Sequence, residues 1–147
     1  MASVSTYLNF DGRTEEAFEF YRTVFGGNYE GDVNRFGDMP ADDNMPPLPD
    51  EAKDQVLHVC LPILGGFKLM GSDAPNCMGF QVHMGNNMHI NLETDSREQT
   101  DELFAALSDG GTITMPLQDM FWGAYFGSCT DKFGVQWMFN FDNSKMQ

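Results

Sequence analysis

The sequence predicts an α+β fold in which one domain of 147 residues is built from two βαβββ modules, residues 1–75 and 76–147. Three observations carry this. Sliding the chain along itself gives a repeat at an offset of 84 residues, which sets Leu8, Asp11, Arg13, Phe20, Gly26 and Gly27 on Leu92, Asp95, Arg97, Phe104, Gly110 and Gly111 with the same residue type in every pair. Each copy opens on a stretch that alternates at period two, residues 4–10 and 88–94, as a half-buried strand does. Each stretch is followed by a helical pattern that stops at a glycine pair, where a residue without a Cβ enters the left-handed region most easily.

The elements follow in order. After the first strand, Asp11 supplies an N-cap oxygen, and Ala17, Phe20, Tyr21 and Val24 form the apolar side of the first helix. Strands are expected at 28–36, 55–62 and 67–71, with Gly65 and Gly66 turning the last hairpin. In the second module Asp95 and Ser96 open the helix, Ser96 and Gln99 having the spacing of a capping box, and Leu103, Phe104 and Leu107 are its apolar face. Strands are expected there at 112–115, 124–130 and 135–140, with residues 131–134 as the closing turn. Residues 72–87 form the linker, with room for a short strand at 80–84. Residues 37–54 hold four prolines and six acids against one lysine, which forbids a core strand and predicts a long acidic loop, read as a flap over a cavity mouth or as a solvated segment.

Composition narrows the function. Eight Lys and Arg against 22 Asp and Glu give a net charge of −14, which repels phosphate backbones and anionic lipid, so nucleic acid and membrane partners are not expected. The start MASVSTYLNF lacks the basic, apolar and cleavage regions of a signal peptide, so a cytoplasmic location is expected. Cys60, Cys77 and Cys129 have no CxxC spacing and read as three reduced thiols. Gly26-Gly27-Asn28 lacks the context of a phosphate-binding loop, and no Ser/His/Asp arrangement stands out.

The stretch YLNFDGRTEEAFEFYRTVFGG (residues 7–27), VLHVCLPI followed by KLMGSDAP, and FWGAYFGSCTDKFGVQWMFN (residues 121–140) resemble the PhnB-like branch of the glyoxalase, bleomycin-resistance and dioxygenase proteins, the vicinal oxygen chelate superfamily. The resemblance covers almost the whole chain. It implies the glyoxalase/bleomycin resistance fold, in which the paired modules form a curved mixed sheet around a cavity, and it implies a two-fold homodimer. Metal-dependent members hold a divalent ion with residues on the first and last strands of each module, leaving positions open for two substrate oxygens. Other members bind a small molecule in the cavity without metal.

Carried onto this chain, the family's ligand positions fall on Ser5, Met70, His89 and Met138. Only His89 suits a hard or borderline divalent ion, because a thioether prefers soft copper(I) and serine is a poor neutral donor. No metal or other cofactor is therefore favoured; the alternative is a divalent metal held by His89 and His58, with Cys60 or Glu93, in a lyase, isomerase or dioxygenase. Alternation puts Ser5, Tyr7 and Asn9 on one face of the first strand and His89, Asn91 and Glu93 on one face of its repeat mate. With His58, Met70, Met138 and Trp122 they are the candidate lining for a small organic ligand. Catalytic residues are not assigned, and Glu93 could serve as a general base only if its pKa rose toward neutrality.

Overall fold

A computed structural model describes residues 2–40 and 42–145, which group into two compact units, Met1–His83 and Met84–Gln147. The first carries β1 (Thr6–Phe10), α1 (Thr14–Phe25), β2 (Asn34–Arg35), β3 (Val56–Pro62) and β4 (Lys68–Asp73). Its sheet has the order β1-β4-β3-β2, with β1 parallel to β4 and the other neighbours antiparallel. The second carries β5 (Ile90–Glu93), α2 (Arg97–Ser108), β6 (Thr112–Asp119), β7 (Ala124–Thr130) and β8 (Gln136–Asp142), in the order β5-β8-β7-β6 with β5 parallel to β8. The fold is thus α+β, two four-stranded mixed sheets of one βαβββ topology.

The two sheets share a register as well as a topology. Tyr7 lies opposite Met70 and Met70 opposite Cys60, while Asn91 lies opposite Met138 and Met138 opposite Ser128. Met70 and Met138 are therefore equivalent positions. The helices repeat differently. α1 buries Thr14, Ala17, Phe18 and Tyr21, and α2 buries Thr100, Leu103, Phe104 and Leu107, both at the i, i+3, i+4, i+7 spacing of one helical face. These faces correspond at an offset of 86 (Phe18 to Phe104), not 84, so the expected core positions Phe20 and Val24 are only half-buried and Phe18 takes the central place. Phe18 fits because β4 offers it Gly71, where a Cβ would stand 2.6 Å from the ring.

Local chemistry explains further departures from expectation. Asp11 does not cap α1; its Oδ1 accepts the Asn76 amide at 3.2 Å. The helix starts at Thr14, whose amide and hydroxyl both donate to Asp73 Oδ1, while Asp73 Oδ2 accepts the Val56 amide, so one buried carboxylate joins the start of α1 to the start of β3. In α2 Ser96 does cap, accepting the Gln99 amide at 3.0 Å, and Gln99 reaches back to the Asp95 amide at 2.7 Å. The strand expected at 28–36 shrinks to Asn34–Arg35, and 80–84 is irregular. The acidic stretch 37–54 carries short 3-10 turns at its ends, and Ala52 within it is fully buried. Arg35 fastens the loop's base, donating to the Asp54 carbonyl at 2.7 Å and pairing with Glu15.

All three cysteines are free thiols, Cys60 and Cys129 buried and Cys77 exposed. Burial pushes the Cys129 thiol from 9.0 up to about 12, with the Asp131 charge adding to it, and burial followed by the Glu30 hydrogen bond raises Cys60. Because thiolate is the nucleophile, iodoacetamide at pH 8 will label Cys77 and leave the other two unmodified until denaturant is added, as read by peptide mass spectrometry. The same burial has a pH signature. The unfolded chain loses the Cys129 proton first, so stability from this thiol is intact below pH 9 and falls as pH rises toward about 12. Cys129→Ala will remove that share of the alkaline decline in urea titrations, and an unchanged slope would refute it.

Candidate open sheet faces

Each sheet carries its helix on one face, and the other holds the residues singled out for ligand contact. Residues directly opposite in a ladder project to the same side. In the first unit one row runs from Tyr7 through Met70 to Cys60, and Asn9 stands opposite Ser72 in the next. Hydrogen bonds join these side chains. Asn9 Nδ2 donates to Ser72 Oγ at 3.0 Å, the Tyr7 hydroxyl lies 3.3 Å from His58 Nδ1 with the rings stacked 5.9 Å apart, and Ser5 Oγ donates to Met70 Sδ at 4.0 Å. Ser5, Tyr7, Asn9, His58 and Met70 are thus brought together on one face. Tyr7 is 48% exposed, so its ring is available to a ligand.

That face has a charged margin that alternation along the sequence did not disclose. Lys68 pairs with Glu30 at 2.8 Å, and the Cys60 thiol donates to the same carboxylate at 3.4 Å. Glu30 is held below the usual carboxylate range by Lys68 first and by the thiol second. The signal was present only in pairing, since Glu30 lies in irregular chain and its amide bonds the Cys60 carbonyl.

In the second unit Glu93 stands opposite Asn140, and Asn140 opposite Phe126. Asn140 Nδ2 donates to Glu93 Oε2 at 2.8 Å and Asn91 Nδ2 to Glu93 Oε1 at 2.9 Å. Met138 lies one row away between Asn91 and Ser128, and Ser128 shares a 2.7 Å hydroxyl contact with Thr114. Trp122 sits in the tight turn between β6 and β7, 56% exposed, with its ring 6.4 Å from Phe126 and 5.1 Å from Phe121. Phe126 had no sequence signal, because Gly127, Ser128 and Cys129 after it are all buried and blur the alternation of β7. His89 precedes β5 and is exposed.

Three of the four family positions, Ser5, Met70 and Met138, carry donors that a hard divalent cation binds poorly. Among the described residues no three His, Cys, Asp or Glu side chains gather as a metal needs. Of the four family positions, Ser5 and Met70 engage each other and Met138 offers a thioether, leaving His89. His58 has the Tyr7 phenol beside it, and Asn34 stands opposite it on β2.

Comparison with known proteins agrees with this architecture. The family model for the Glyoxalase/Bleomycin resistance protein/Dioxygenase superfamily matches residues 4–139. Protein YjdN of Escherichia coli K12 is 31% identical over 145 residues, covering 93% of each chain. The crystal structure of protein PA1353 from Pseudomonas aeruginosa superposes with a TM-score of 0.82 at 37% identity, covering 97% of this chain and 98% of that one. The PhnB protein of Bacillus cereus gives a TM-score of 0.71 at 26% identity over 95% of this chain and 99% of its own. The chain belongs to the glyoxalase/bleomycin resistance protein/dioxygenase superfamily, in its PhnB-like branch.

Proposed function

We propose that this protein binds a small organic molecule against the sheet faces its helices leave uncovered, and that it does so without a metal. The observation that carries the reading is the mixture on those faces: exposed aromatic rings (Tyr7, Trp122) and half-buried thioethers (Met70, Met138) interleaved with hydrogen-bonded polar groups (His58, Asn9, Asn91, Glu93). Apolar area supplies affinity and a few oriented polar atoms supply selectivity. Methionine adapts its shape to different ligands. The donor chemistry at the four family positions supports the metal-free form. A two-fold homodimer in the cytoplasm completes the proposal, in keeping with three free thiols; no described helix is long and apolar enough to cross a membrane.

A panel of aromatic and heterocyclic compounds tests this by thermal shift. A ligand at a hundred times its Kd stabilises by ~2.7 kcal/mol, or roughly 5–10 °C for a domain of this size. Tyr7→Ala and His89→Ala are expected to reduce the shift at least by half. Metal analysis of untagged protein decides the other half: substoichiometric metal and a Tm unchanged by chelator are expected. Stoichiometric metal that disappears in His89→Ala, with a chelator-sensitive activity, would replace this reading by a metal-dependent lyase, isomerase or dioxygenase. Light scattering after gel filtration reads the dimer.

A further inference from the structure

We infer that the second unit's open face selects planar aromatic cations, ring against Trp122 and Phe126 and N–H donors on Glu93. This deepens the small-molecule reading and rests on it. The geometry is a single row across three strands. Glu93 on β5 faces Asn140 on β8, which faces Phe126 on β7, and the Trp122 ring, from the turn before β7, lies 6.4 Å from that of Phe126. Two strand spacings, roughly 10 Å, separate Glu93 from Phe126 along the row. A flat molecule with a ring at one end and a cationic group at the other matches that length.

The electrostatics choose the sign. Each Glu93 oxygen accepts one neutral amide, from Asn140 and from Asn91, which holds the carboxylate in place without neutralising it. Glu93 is exposed and has no cationic partner among the described residues, whereas Asp119, on β6 at the other edge of the sheet, is paired with Arg97. Each oxygen has a further lone pair for an incoming N–H, and a fork of two parallel donors, as in an amidinium or guanidinium, meets a carboxylate best. At the other end the rings of Trp122 and Phe126 offer the ligand's own ring an aromatic surface to pack on. The net charge of −14 favours arrival of cations over anions.

Biphenyl-4-carboxamidine, the neutral biphenyl-4-carboxamide and the anionic biphenyl-4-carboxylate provide the test on the full chain. The readout is the two indole N–H cross-peaks in a 15N-labelled protein. Trp137 is fully buried with its indole donating to Asp131 at 2.9 Å, so its peak reports an intact fold while that of Trp122 reports the site. The amidine should shift the Trp122 peak and bind about 10-fold more tightly than the carboxamide, as a charge-assisted pair implies, and the carboxylate should not bind. Glu93→Gln should remove the amidine's advantage with the Trp137 peak unmoved, and Trp122→Ala should weaken amidine and carboxamide alike, read by calorimetry. Equal affinity for the three probes, or an amidine advantage that survives Glu93→Gln, overturns the inference. If the aromatic panel still gives Tyr7- and His89-dependent thermal shifts, the broader reading stands without it; if neither panel nor probes bind, both fall.

Discussion

Gly111→Ala will cost about 3 kcal/mol of stability, and Gly110→Ala, one residue earlier, roughly 1 kcal/mol. The two glycines look alike in sequence and end α2 together, yet they answer different constraints. Gly110 has φ of +78°, so alanine there enters the left-handed region, but the space around it is ordinary, the nearest neighbour being the flexible Lys132 chain at 3.4 Å. Gly111 is not left-handed. A Cβ on it would collide with the Thr130 carbonyl oxygen and come within 2.9 Å of the Asp131 backbone. Those atoms belong to the end of β7 and the turn that follows, so relief requires moving backbone. Urea titration of both variants decides it: a Gly110→Ala loss equal to or above that of Gly111→Ala would show that backbone conformation, not close approach, governs the pair.

The corresponding pair in the first unit marks how far the repeat could be read. Gly26 and Gly27 both have positive φ, +79° and +82°, and nothing lies within 4 Å of a Cβ on either. Identical letters at an offset of 84 therefore record a shared topology with different local reasons. Apart from β2, the strands and their sequence along the chain were legible, because period-two alternation and turn residues follow directly from backbone geometry. The helix faces were misaligned by two residues: matching Phe20 to Phe104 satisfied letter identity, whereas burial demanded Phe18. Two more residues stand between Thr94 and Thr100 than between Phe10 and Thr14, and only packing against Gly71 and Gly127 reveals which phenylalanine is central.

The candidate faces divide along similar lines. Tyr7 and Asn9, with Ser5 just before their strand, and likewise Asn91 and Glu93, follow single strands, where alternation alone assigns a side. Partners across strands were out of reach. The Tyr7 contact to His58, the Asn140 bond to Glu93 and the Glu30, Lys68, Cys60 group all depend on register, which one strand's sequence does not encode. Asp73 is a case in point: nothing in KLMGSDAP announces that its carboxylate will start both α1 and β3.

Asp131→Ala will be the most damaging polar substitution in the second unit, with an expected loss of about 3–5 kcal/mol. Asp131 is 3% exposed in the turn between β7 and β8. Its Oδ1 accepts the Phe133 amide at 2.8 Å and the Val135 amide at 3.1 Å, and its Oδ2 accepts the Trp137 indole N–H at 2.9 Å. Alanine leaves three donors without these acceptors, one of them on a fully buried indole that water reaches only if β8 lifts. Asparagine separates two explanations. It keeps one oxygen for the two amides but sets an NH2 against the indole N–H, donor facing donor, and a flip only exchanges the loss, so a cost of about 2 kcal/mol is expected. The ordering in urea should be wild type, then Asn, then Ala, with the near-ultraviolet signal of Trp137 disturbed in both variants. An asparagine variant as unstable as the alanine one would mean that the negative charge matters beyond its acceptors. An alanine variant near wild type would mean that the turn closes through its backbone bonds alone, from Asp131 to Val135 and from Gly134 to Asp131.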